Sequence, residues 1–315
     1  MELQRTERGR VWGTSFSSWN RSLPPLLEQA NLAGHLAAAD PPCILIKPNL
    51  VEAVAPPVTT PAGLISVLVD FLRQVTDRDI IIGEGTGSLH YDTFHCFSEL
   101  GYTRLAREKN ISLLDLNREE PVRLTNPRCH RWPEMYLPAI ALECYLISVP
   151  VLKAHSLAGV TLTMKNMMGL APPDHYCQGG SWKKSAFHEN IQEAIADLNR
   201  YRTPDFTVLD ATVGMCEAHL WGRHCEPPPN LLAAGYDPVA LDSFGAGLLG
   251  RHWQDIGHIR AVDRELGQAA PLECVEVTQG NRKRADTKQK KGAPSEGKRL
   301  FLIHFPGRYP GPAEN

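Results

Sequence analysis

The chain has 315 residues, 43% of them hydrophobic and 22% charged, which is enough to bury one large core or two small ones. Its formal net charge of −2 argues against a general nucleic-acid binder. The first residues lack the apolar run of a signal peptide, and no stretch approaches the roughly 18 apolar residues of a membrane span. We therefore expect a cytoplasmic protein without a membrane partner. Because a reducing compartment keeps thiols free, we expect most of the eight cysteines to be core side chains.

Short apolar runs alternate with segments of helical periodicity along the chain. The predicted helices are 22–39, with its two prolines in the first turn, 62–75, 91–109 with a break near Gly101, 191–201, and 238–249 with Asp237 as N-cap. The predicted strands are 43–46, 79–82, 112–116, 145–149, 206–209 and 231–234. Continuous apolar strands separated by helices are typical of a mostly parallel sheet with helices on both faces. We therefore predict a doubly wound α/β fold that binds its ligand at the carboxyl ends of the strands.

The sequence also suggests how the chain is divided. Residues 1–279 are predicted to form a single α/β domain, and two lobes separated near 120–145 are the alternative. Residues 280–299 hold eight lysines or arginines against two acidic residues, which is typical of a basic, flexible insert. A non-specific phosphate-binding role is the alternative interpretation of this insert. Residues 300–315 are predicted to form a last strand and a tail.

Polar residues follow the first two predicted strands. Lys47 and Asn49 come directly after the first one. A lysine in this position holds an anionic ligand or has its pKa lowered by burial; the alternative is a lysine in water beside an Asx-type turn. Glu84 lies in a glycine-rich turn, residues 83–87, after the second strand. Because this turn matches neither G-x-G-x-x-G nor the P-loop, it favours a carboxylate near a site over a nucleotide cradle.

The strongest functional signal follows the fourth predicted strand. Lys153 and His155 are two residues apart in an extended segment, so both side chains face the same side. Lysine can orient an anion or act as a nucleophile, and histidine can move a proton near neutral pH. Lys165 and Asn166 come ten residues later. We predict that these side chains meet Lys47 in one cationic cleft, whereas on the alternative interpretation the lysines face solvent.

The segment 216–225 gathers thiols and imidazoles. Its possible metal ligands are Cys216, His219, His224 and Cys225. Their spacing matches no standard zinc or iron–sulfur pattern, so a metal or cluster is only one interpretation. The other is a polar loop that covers a site, with one or two of its side chains facing inward.

Two further polar residues stand beside or inside predicted helices. His188 precedes the helix 191–201, where an imidazole tends towards its neutral form, and an ordinary polar residue at a helix start is the alternative. Asp242 lies within an otherwise apolar helix and needs a partner there. We predict that a basic residue of the cleft is that partner.

Taken together in order, these motifs resemble the family known as domain of unknown function 362. The matching segments are IKPNLV at 46–51, TTP at 59–61, VPVLKAHSLAGVTLTMKNMMGL at 149–170 and DPVALDSFGAGLLG at 237–250. Their order and spacing agree over residues 10–279. The resemblance implies a prokaryotic-type α/β domain, with the Lys-x-His and Lys-Asn segments as its signature.

The same resemblance implies a link to redox chemistry, because many members of that family carry an appended ferredoxin-like module. An external electron-transfer protein is therefore an implied partner. This chain departs from the pattern, since it has no C-x₂-C-x₂-C run. A second departure is Cys216, which occupies the position of the usual glutamate and is followed by Glu217. The resemblance leaves open whether Glu217 takes the carboxylate role.

Three functional hypotheses account for these residues. The first is an enzyme that acts on a small anionic substrate by proton transfer or by reduction. In it, His155 is the acid–base group, assisted by Lys153 and oriented by Glu217 or Asp242. The substrate contacts come from Lys47, Asn49, Glu84, Lys165, Asn166, His188 and Asp242. The second hypothesis is a redox or metal-handling accessory protein that uses the segment 216–225, and the third is an anion-binding module without chemistry.

Overall fold

Twelve strands are present in residues 7–278, the part of the chain that the structure, a computed structural model, describes. They are β1 (Arg10–Ser15), β2 (Cys43–Pro48), β3 (Asp79–Glu84), β4 (Ser112–Asp115), β5 (Pro121–Thr125), β6 (Glu134–Pro138), β7 (Tyr145–Val149), β8 (Val151–His155), β9 (Gly159–Thr161), β10 (Phe206–Met215), β11 (Leu231–Gly235) and β12 (Glu273–Glu276). The six predicted strands are all among them. β1, β5, β6, β8, β9 and β12 were not predicted, because they are short or not continuously apolar.

Ten of these strands form one mixed sheet, and β5 and β6 form a separate hairpin. The main path of the sheet runs β12-β1-β11-β10-β7-β2-β3-β4. The five adjacent strands from β10 to β4 are parallel, whereas β11 is antiparallel to both of its neighbours. The prediction of a mostly parallel α/β sheet is confirmed. The chain winds from β2 to β3 and β4 in one direction and returns to β7 and β10 in the other, so the strand order reverses between β2 and β7.

Both faces of the sheet are covered, as the continuous apolar strands predict. Leu45 points into one buried cluster, while its neighbours Ile44 and Ile46 point into the other. Helices supply the rest of each cluster: Leu68 packs in the second cluster and Leu198 in the first. Each such fully buried aliphatic side chain contributes about 1.5–3 kcal/mol to folding.

Eleven α-helices surround the sheet in the described residues: α1 (Trp19–Gln29), α2 (Leu32–Ala39), α3 (Ala62–Val75), α4 (Thr93–Glu99), α5 (Tyr102–Lys109), α6 (Ala139–Glu143), α7 (Thr163–Asn166), α8 (Pro173–Tyr176), α9 (Ile191–Tyr201), α10 (Pro238–Leu248) and α11 (Gly257–Val262). Short 3₁₀ helices cover Met167–Leu170, Ser185–His188 and Trp253–Asp255. The predicted break near Gly101 is confirmed between α4 and α5. Asp237 caps α10, as predicted, because its Oδ1 accepts from the backbone N–H groups of Val239 and Ala240.

The first predicted helix, 22–39, is wrong in two respects. It is divided at Asn31, whose φ of 54° is left-handed and ends α1 before α2 begins. It also begins earlier than predicted, at Trp19, so Pro24 and Pro25 lie inside α1 and not in its first turn. The side chains of Leu23 and Leu26 are fully buried, and this packing maintains the helix in spite of the prolines.

One pair of cysteines differs from the expectation of free thiols. Cys43, at the start of β2, forms a disulfide with Cys144, just before β7, with a Cα–Cα distance of 4.8 Å. The two strands are parallel neighbours in register, which brings the two side chains together. Among the described residues the other six cysteines are free thiols.

Two predicted segments lie outside the described residues. The basic insert 280–299 and the C-terminal strand and tail 300–315 both lie there. Whether residues 1–279 form one domain or two lobes stays a prediction. Within residues 7–278, no helix is both long and apolar enough to cross a bilayer.

Candidate active site

A pocket with about 620 Å³ of empty space, its open mouth included, lies at the carboxyl ends of β2 and β3, beside the point between β2 and β7 where the strand order reverses. The strand β8 follows β7 directly and supplies another part of its wall. The ionisable side chains that line the pocket are Lys47, Glu84, Lys153, His155, Lys165, Lys184, His188 and His219. The three lysines predicted to converge therefore all line one cleft, because β2, β8 and the short helix α7 end there.

An ion pair on one side of the pocket holds Lys47 in place. Lys47 Nζ lies 2.8 Å from Glu84 Oε1, and both side chains are almost completely buried. The two Glu84 oxygens also accept from the backbone N–H groups of Leu50 and Gly85. Burial lowers the pKa of Lys47, and the Glu84 carboxylate opposes part of that shift. The glycine-rich turn after β3 thus delivers a carboxylate to the site, as predicted.

Two asparagines extend this ion pair into a network that reaches Lys153. Lys153 Nζ donates to Asn49 Oδ1 and to the carbonyl of Val58, each at 2.7 Å. Asn49 Nδ2 in turn donates to Asn166 Oδ1 at 2.9 Å, and Lys47 Nζ donates to the same oxygen at 3.3 Å. Each amine is therefore bonded to two or more oxygens inside the protein.

We call this half of the pocket the clamped side; it consists of Lys47, Asn49, Glu84, Lys153 and Asn166. Burial, and after it the neighbouring ammonium of Lys165, hold the pKa of Lys153 well below its ordinary value. The clamped side therefore carries charges and dipoles whose positions are fixed before any ligand arrives.

Close backbone approach on the clamped side requires glycine at two positions. A Cβ at Gly169 would lie 2.5 Å from Lys47 Nζ and would overlap Glu84 Oε1. A Cβ at Gly85 would overlap the carbonyl of Gly169. Both glycines allow the segment after α7 to pass directly over the Lys47–Glu84 pair.

Lys184 is a fourth lysine in the pocket, and its amine is also fully bonded. Its Nζ donates to Asn117 Oδ1 at 2.6 Å and to the carbonyls of Gly169 and Ala171. Burial lowers the pKa of Lys184 to about 7, while the Glu84 carboxylate raises it. Three acceptors match the three hydrogens of an ammonium group, so this amine has a structural role in holding the loops together.

The surroundings of His155 fix the tautomer of its ring. Its Nδ1 accepts from the backbone N–H groups of Leu157 and Ala158, each at 3.1 Å, so the neutral ring carries its proton on Nε2. Burial, followed by the charge of Lys165, lowers the pKa of His155 to about 2. This shift favours a neutral ring near pH 7 and not a group that changes its charge there, so the predicted acid–base role of His155 stays a prediction. Nε2 is buried, has no partner among residues 7–278 and can donate a hydrogen bond.

Two neighbours of His155 in the pocket also lack partners. The Thr161 hydroxyl is buried and makes no hydrogen bond within the described part of the chain. Lys165 Nζ likewise makes no hydrogen bond or ion pair that involves residues 7–278, and burial lowers its pKa to about 8. We call His155, Thr161 and Lys165 the open side of the pocket. An unsatisfied buried polar group costs about 1–3 kcal/mol, so His155 Nε2 and the Thr161 hydroxyl favour a ligand that accepts hydrogen bonds. Lys165 is only partly buried, and its Nζ can donate to the same ligand.

Two more imidazoles border the open side. His219 stacks on His155 with ring centroids 4.1 Å apart, and burial, followed by Lys165, lowers its pKa to about 3. His188 lies at the end of a 3₁₀ helix before α9, and burial, followed by Lys165, lowers its pKa as well. Its predicted neutral form agrees with this direction, although burial is the main cause. The pKa values of His155, His188 and His219 are all lowered, which favours neutral imidazoles. The positive charge of the pocket therefore comes from its lysines.

The predicted partner of Asp242 is wrong. Its carboxylate does not line the pocket but accepts from the backbone N–H groups of Thr163 and Met164, at 2.7 and 3.1 Å. These are the first residues of α7, so Asp242 positions the helix that carries Lys165. Burial raises the pKa of Asp242 to about 7, and its nearest ionisable neighbour is His258, with Nε2 at 4.0 Å.

The predicted catalytic role of Glu217 is also contradicted. Its side chain is exposed, does not line the pocket, and pairs with Arg223 at 2.6 Å between Oε1 and Nε. The resemblance had left this role open, and the loop geometry directs the carboxylate towards solvent. No orienting carboxylate therefore reaches His155 from this loop.

The four predicted metal ligands do not converge as a set, although the side chains of Cys216 and Cys225 lie beside each other. His219 turns into the pocket, His224 is exposed, and the Cys216 thiol bonds the carbonyls of Arg223 and His224. Within residues 7–278 there is no group of three or more His, Cys, Asp or Glu side chains that could hold a metal ion. The metal site predicted from Cys216, His219, His224 and Cys225 is therefore not formed. The observed segment matches the alternative, a polar loop with one side chain facing inward.

The motifs that line the pocket also place the chain in a known protein family. A family model described as "Domain of unknown function (DUF362)" matches residues 44–247, about two thirds of the chain. The chain belongs to the DUF362 family. Every pocket residue of this DUF362 chain lies inside the matched range. No curated protein matches its sequence.

Among solved structures, the DUF362 chain is similar to the lactate racemase apoprotein from Thermoanaerobacterium thermosaccharolyticum. The two share 14% sequence identity with a TM-score of 0.43, and the match covers 81% of this chain and 60% of that one. The DUF362 chain thus spans three fifths of that protein's length. A likeness at this level says nothing of what the DUF362 chain binds.

Three pocket residues of this DUF362 chain were not predicted to act there. Thr161 lies in a three-residue strand that is too short to give a periodic signal. Lys184 follows another lysine and looks like part of a solvated surface. His219 was predicted only as a metal ligand. The nearest sequence signal for Lys184 is Trp182, an aromatic residue two positions earlier that also lines the pocket.

Proposed function

We propose that this DUF362 protein is an enzyme that acts on a small anionic substrate in the pocket between β2 and β8. One observation supports this proposal above the others. Four lysines and three histidines line the pocket, and the one carboxylate among its described lining residues, Glu84, already pairs with Lys47. An excess of positive groups in a partly buried cleft attracts and stabilises a negative ligand.

The electrostatics of the empty pocket favour the same substrate class. Mutual repulsion adds to burial in lowering the pKa values of Lys153 and His155. A bound carboxylate or phosphate would reverse this effect, because an opposite charge nearby favours the protonated amine. Anion binding should therefore be accompanied by proton uptake. Measuring the heat of binding in buffers of different ionisation enthalpy would report this uptake.

The open side suggests the type of reaction. Lys165 has a free amine with a pKa near neutrality, which is the property required of a group that accepts and returns a proton. His155 Nε2 has no partner among residues 7–278, so it can donate a hydrogen bond to a substrate oxygen and stabilise negative charge that develops there. We therefore favour proton transfer next to a carboxylate. Reduction with an external electron-transfer partner is the second candidate, since the same donors would stabilise the same charge.

Binding and chemistry can be tested separately on the full chain. Calorimetry with inorganic phosphate, oxalate and pyruvate tests anion binding, and Lys165→Met should weaken it at least tenfold. Lys183→Met is the matched control, because Lys183 is the neighbour of Lys184 but does not line the pocket. Absence of binding by all three anions would contradict the proposal.

Chemistry is tested by deuterium exchange in heavy water, followed by NMR of the carbon next to the carboxylate. We expect pyruvate to exchange faster with the wild-type protein than with Lys165→Met. Binding without exchange, and without reduction by a chemically reduced ferredoxin, would favour the non-catalytic anion-binding module. The metal-handling hypothesis has no support from the geometry of residues 216–225.

A further inference from the structure

We propose that Lys165 forms a covalent imine with the carbonyl carbon of a 2-oxo carboxylate. This inference rests on the proposed function, because it uses the same pocket and the same anionic ligand. It adds the substrate class and the residue that bonds to it. The argument depends on which amine in the pocket has a free lone pair and where the unpaired donors lie.

The four lysines of the pocket differ in what their amines contact. Lys47, Lys153 and Lys184 each donate to two or three oxygen atoms of the protein. An amine held in this way is directed at its acceptors and cannot approach a carbonyl carbon. Lys165 Nζ has no such bond to any of the described residues and lines the same pocket. Lys165 is therefore the amine that is free to act as a nucleophile.

Two unpaired donors mark where the substrate oxygens would lie. His155 Nε2 and Thr161 Oγ1 are buried, line the pocket and have no partner among residues 7–278. Lys165 lines the same pocket as these two donors, and its charge acts on the ring of His155. A ligand that places oxygen atoms at the two donors and an electrophilic carbon at the amine satisfies all three groups.

A 2-oxo carboxylate has this arrangement of atoms. Its carboxylate supplies the negative charge that the lysines favour, and its adjacent carbonyl supplies both an acceptor oxygen and an electrophilic carbon. A phosphate or a simple carboxylate would supply charge alone and leave Lys165 without a bond to form.

The step balances without any further reactant. The neutral Lys165 amine attacks the carbonyl carbon, a C–N bond forms, and the electron pair of the C=O π bond moves to oxygen. The nitrogen then loses a proton and the oxygen gains one, which gives a carbinolamine. Loss of the C–O bond releases water and leaves a C=N double bond to the lysine. No atom is oxidised or reduced, so no redox partner is required.

The protonation state of Lys165 supports this geometry. Attack needs the uncharged amine, and burial lowers the pKa of Lys165 to about 8 from its ordinary value of 10.5. A useful fraction of the amine is then uncharged near neutral pH. The loss of hydration inside the pocket, and not a paired charge, is the cause of this shift.

Reductive trapping tests the proposal on the full chain. The protein is incubated with pyruvate, glyoxylate or 2-oxoglutarate and sodium borohydride, and the adduct is located by peptide mass spectrometry. We expect a single reduced adduct on Lys165 for at least one of the three acids. Lys165→Arg should abolish it, because arginine keeps the charge but is not a nucleophile at this pH. Lys183→Arg is the control and should retain the adduct.

Parallel calorimetry with propionate distinguishes the two proposals. Propionate is a carboxylate without the carbonyl, so it binds but cannot form an imine. If any of these acids binds but no oxo acid leaves an adduct on Lys165, the imine is refuted and the anion-binding enzyme remains. If none of them binds, the proposed function fails as well. An adduct on Lys153 or Lys184 would refute the role of Lys165.

Discussion

The two sides of the pocket contain similar residues but differ in how those residues are bonded. On the clamped side, each of Lys47 and Lys153 donates to protein oxygens, and Glu84 accepts from both an amine and the backbone. On the open side, His155 Nε2, Thr161 Oγ1 and Lys165 Nζ have no partner within residues 7–278. The same residue type, lysine, therefore has a structural role on one side and is available to a ligand on the other.

This difference shows how a buried cationic site can be both stable and reactive. A fully bonded network holds the ends of β2, β3 and β8 together and fixes the local field. The groups that we propose contact the substrate have no partner within residues 7–278, and an unpaired buried donor lowers the stability of the protein. The comparison predicts that substitutions on the clamped side affect folding, whereas those on the open side affect binding.

The largest loss of stability should follow removal of the Glu84 charge. Glu84→Gln leaves Lys47 buried beside a neutral amide, and breaking a buried pair in this way costs about 3–5 kcal/mol. Urea unfolding at neutral pH measures the loss. Glu217→Gln, in an exposed ion pair, is the control and should leave the free energy of unfolding unchanged. If both substitutions lowered the free energy of unfolding equally, the buried Lys47–Glu84 pair would contribute no more to stability than an exposed ion pair.

A smaller loss should follow the introduction of a methyl group at Gly169. Gly169→Ala would force a Cβ against Lys47 Nζ and Glu84 Oε1, and overpacking of this kind costs about 1–3 kcal/mol. Gly87→Ala is the matched control, because its nearest non-neighbouring atom would lie at an ordinary 3.5 Å. Thermal unfolding of both variants measures the difference. A stable Gly169→Ala protein would show that the backbone does not need to approach the ion pair so closely.

The stability of the protein should also depend on pH through the imidazole of His219. Its pKa is lowered to about 3 in the folded protein from 6.5. The unfolded chain therefore binds the proton first, and stability falls as the pH decreases below about 6.5. His219→Gln should remove this contribution, so its unfolding free energy should fall less between about pH 7 and about pH 5. If the unfolding free energies of the wild type and of His219→Gln changed equally with pH, the lowered pKa of His219 would be contradicted.

The smallest change in stability should come from the open side. Lys165→Met removes an amine without a partner in the described residues, so the free energy of unfolding should change by less than about 1 kcal/mol. Lys153→Met is the sharper contrast, because it leaves the oxygens of Asn49 and Val58 without their donor, at about 1–3 kcal/mol. Chemical denaturation compares the two. If the two substitutions lowered the free energy of unfolding equally, the Lys165 amine would be bonded within the protein in the same way as that of Lys153.

Some parts of the site could not be derived from the sequence. Asp242 needed a partner in an apolar helix, but only the fold shows that this partner is the backbone of α7. Glu217 lies two residues before His219, which faces the pocket, yet its loop turns the Glu217 carboxylate outward to Arg223. Lys184 carries no motif, and the packing of its loop on the segment after α7 brings it into the pocket. Such contacts join residues that are distant in the chain, so no local pattern encodes them.

By itself, the sequence determined the mostly parallel α/β sheet and the edge of that sheet at which its polar motifs meet. Continuous apolar strands must be covered on both faces, and polar motifs that follow parallel strands must meet at one edge. Only the tertiary structure decided which of those polar groups are bonded to each other and which are free. Hydrogen bonding and burial depend on the three-dimensional surroundings of each atom, and these surroundings alone separate Lys165 from Lys47, Lys153 and Lys184.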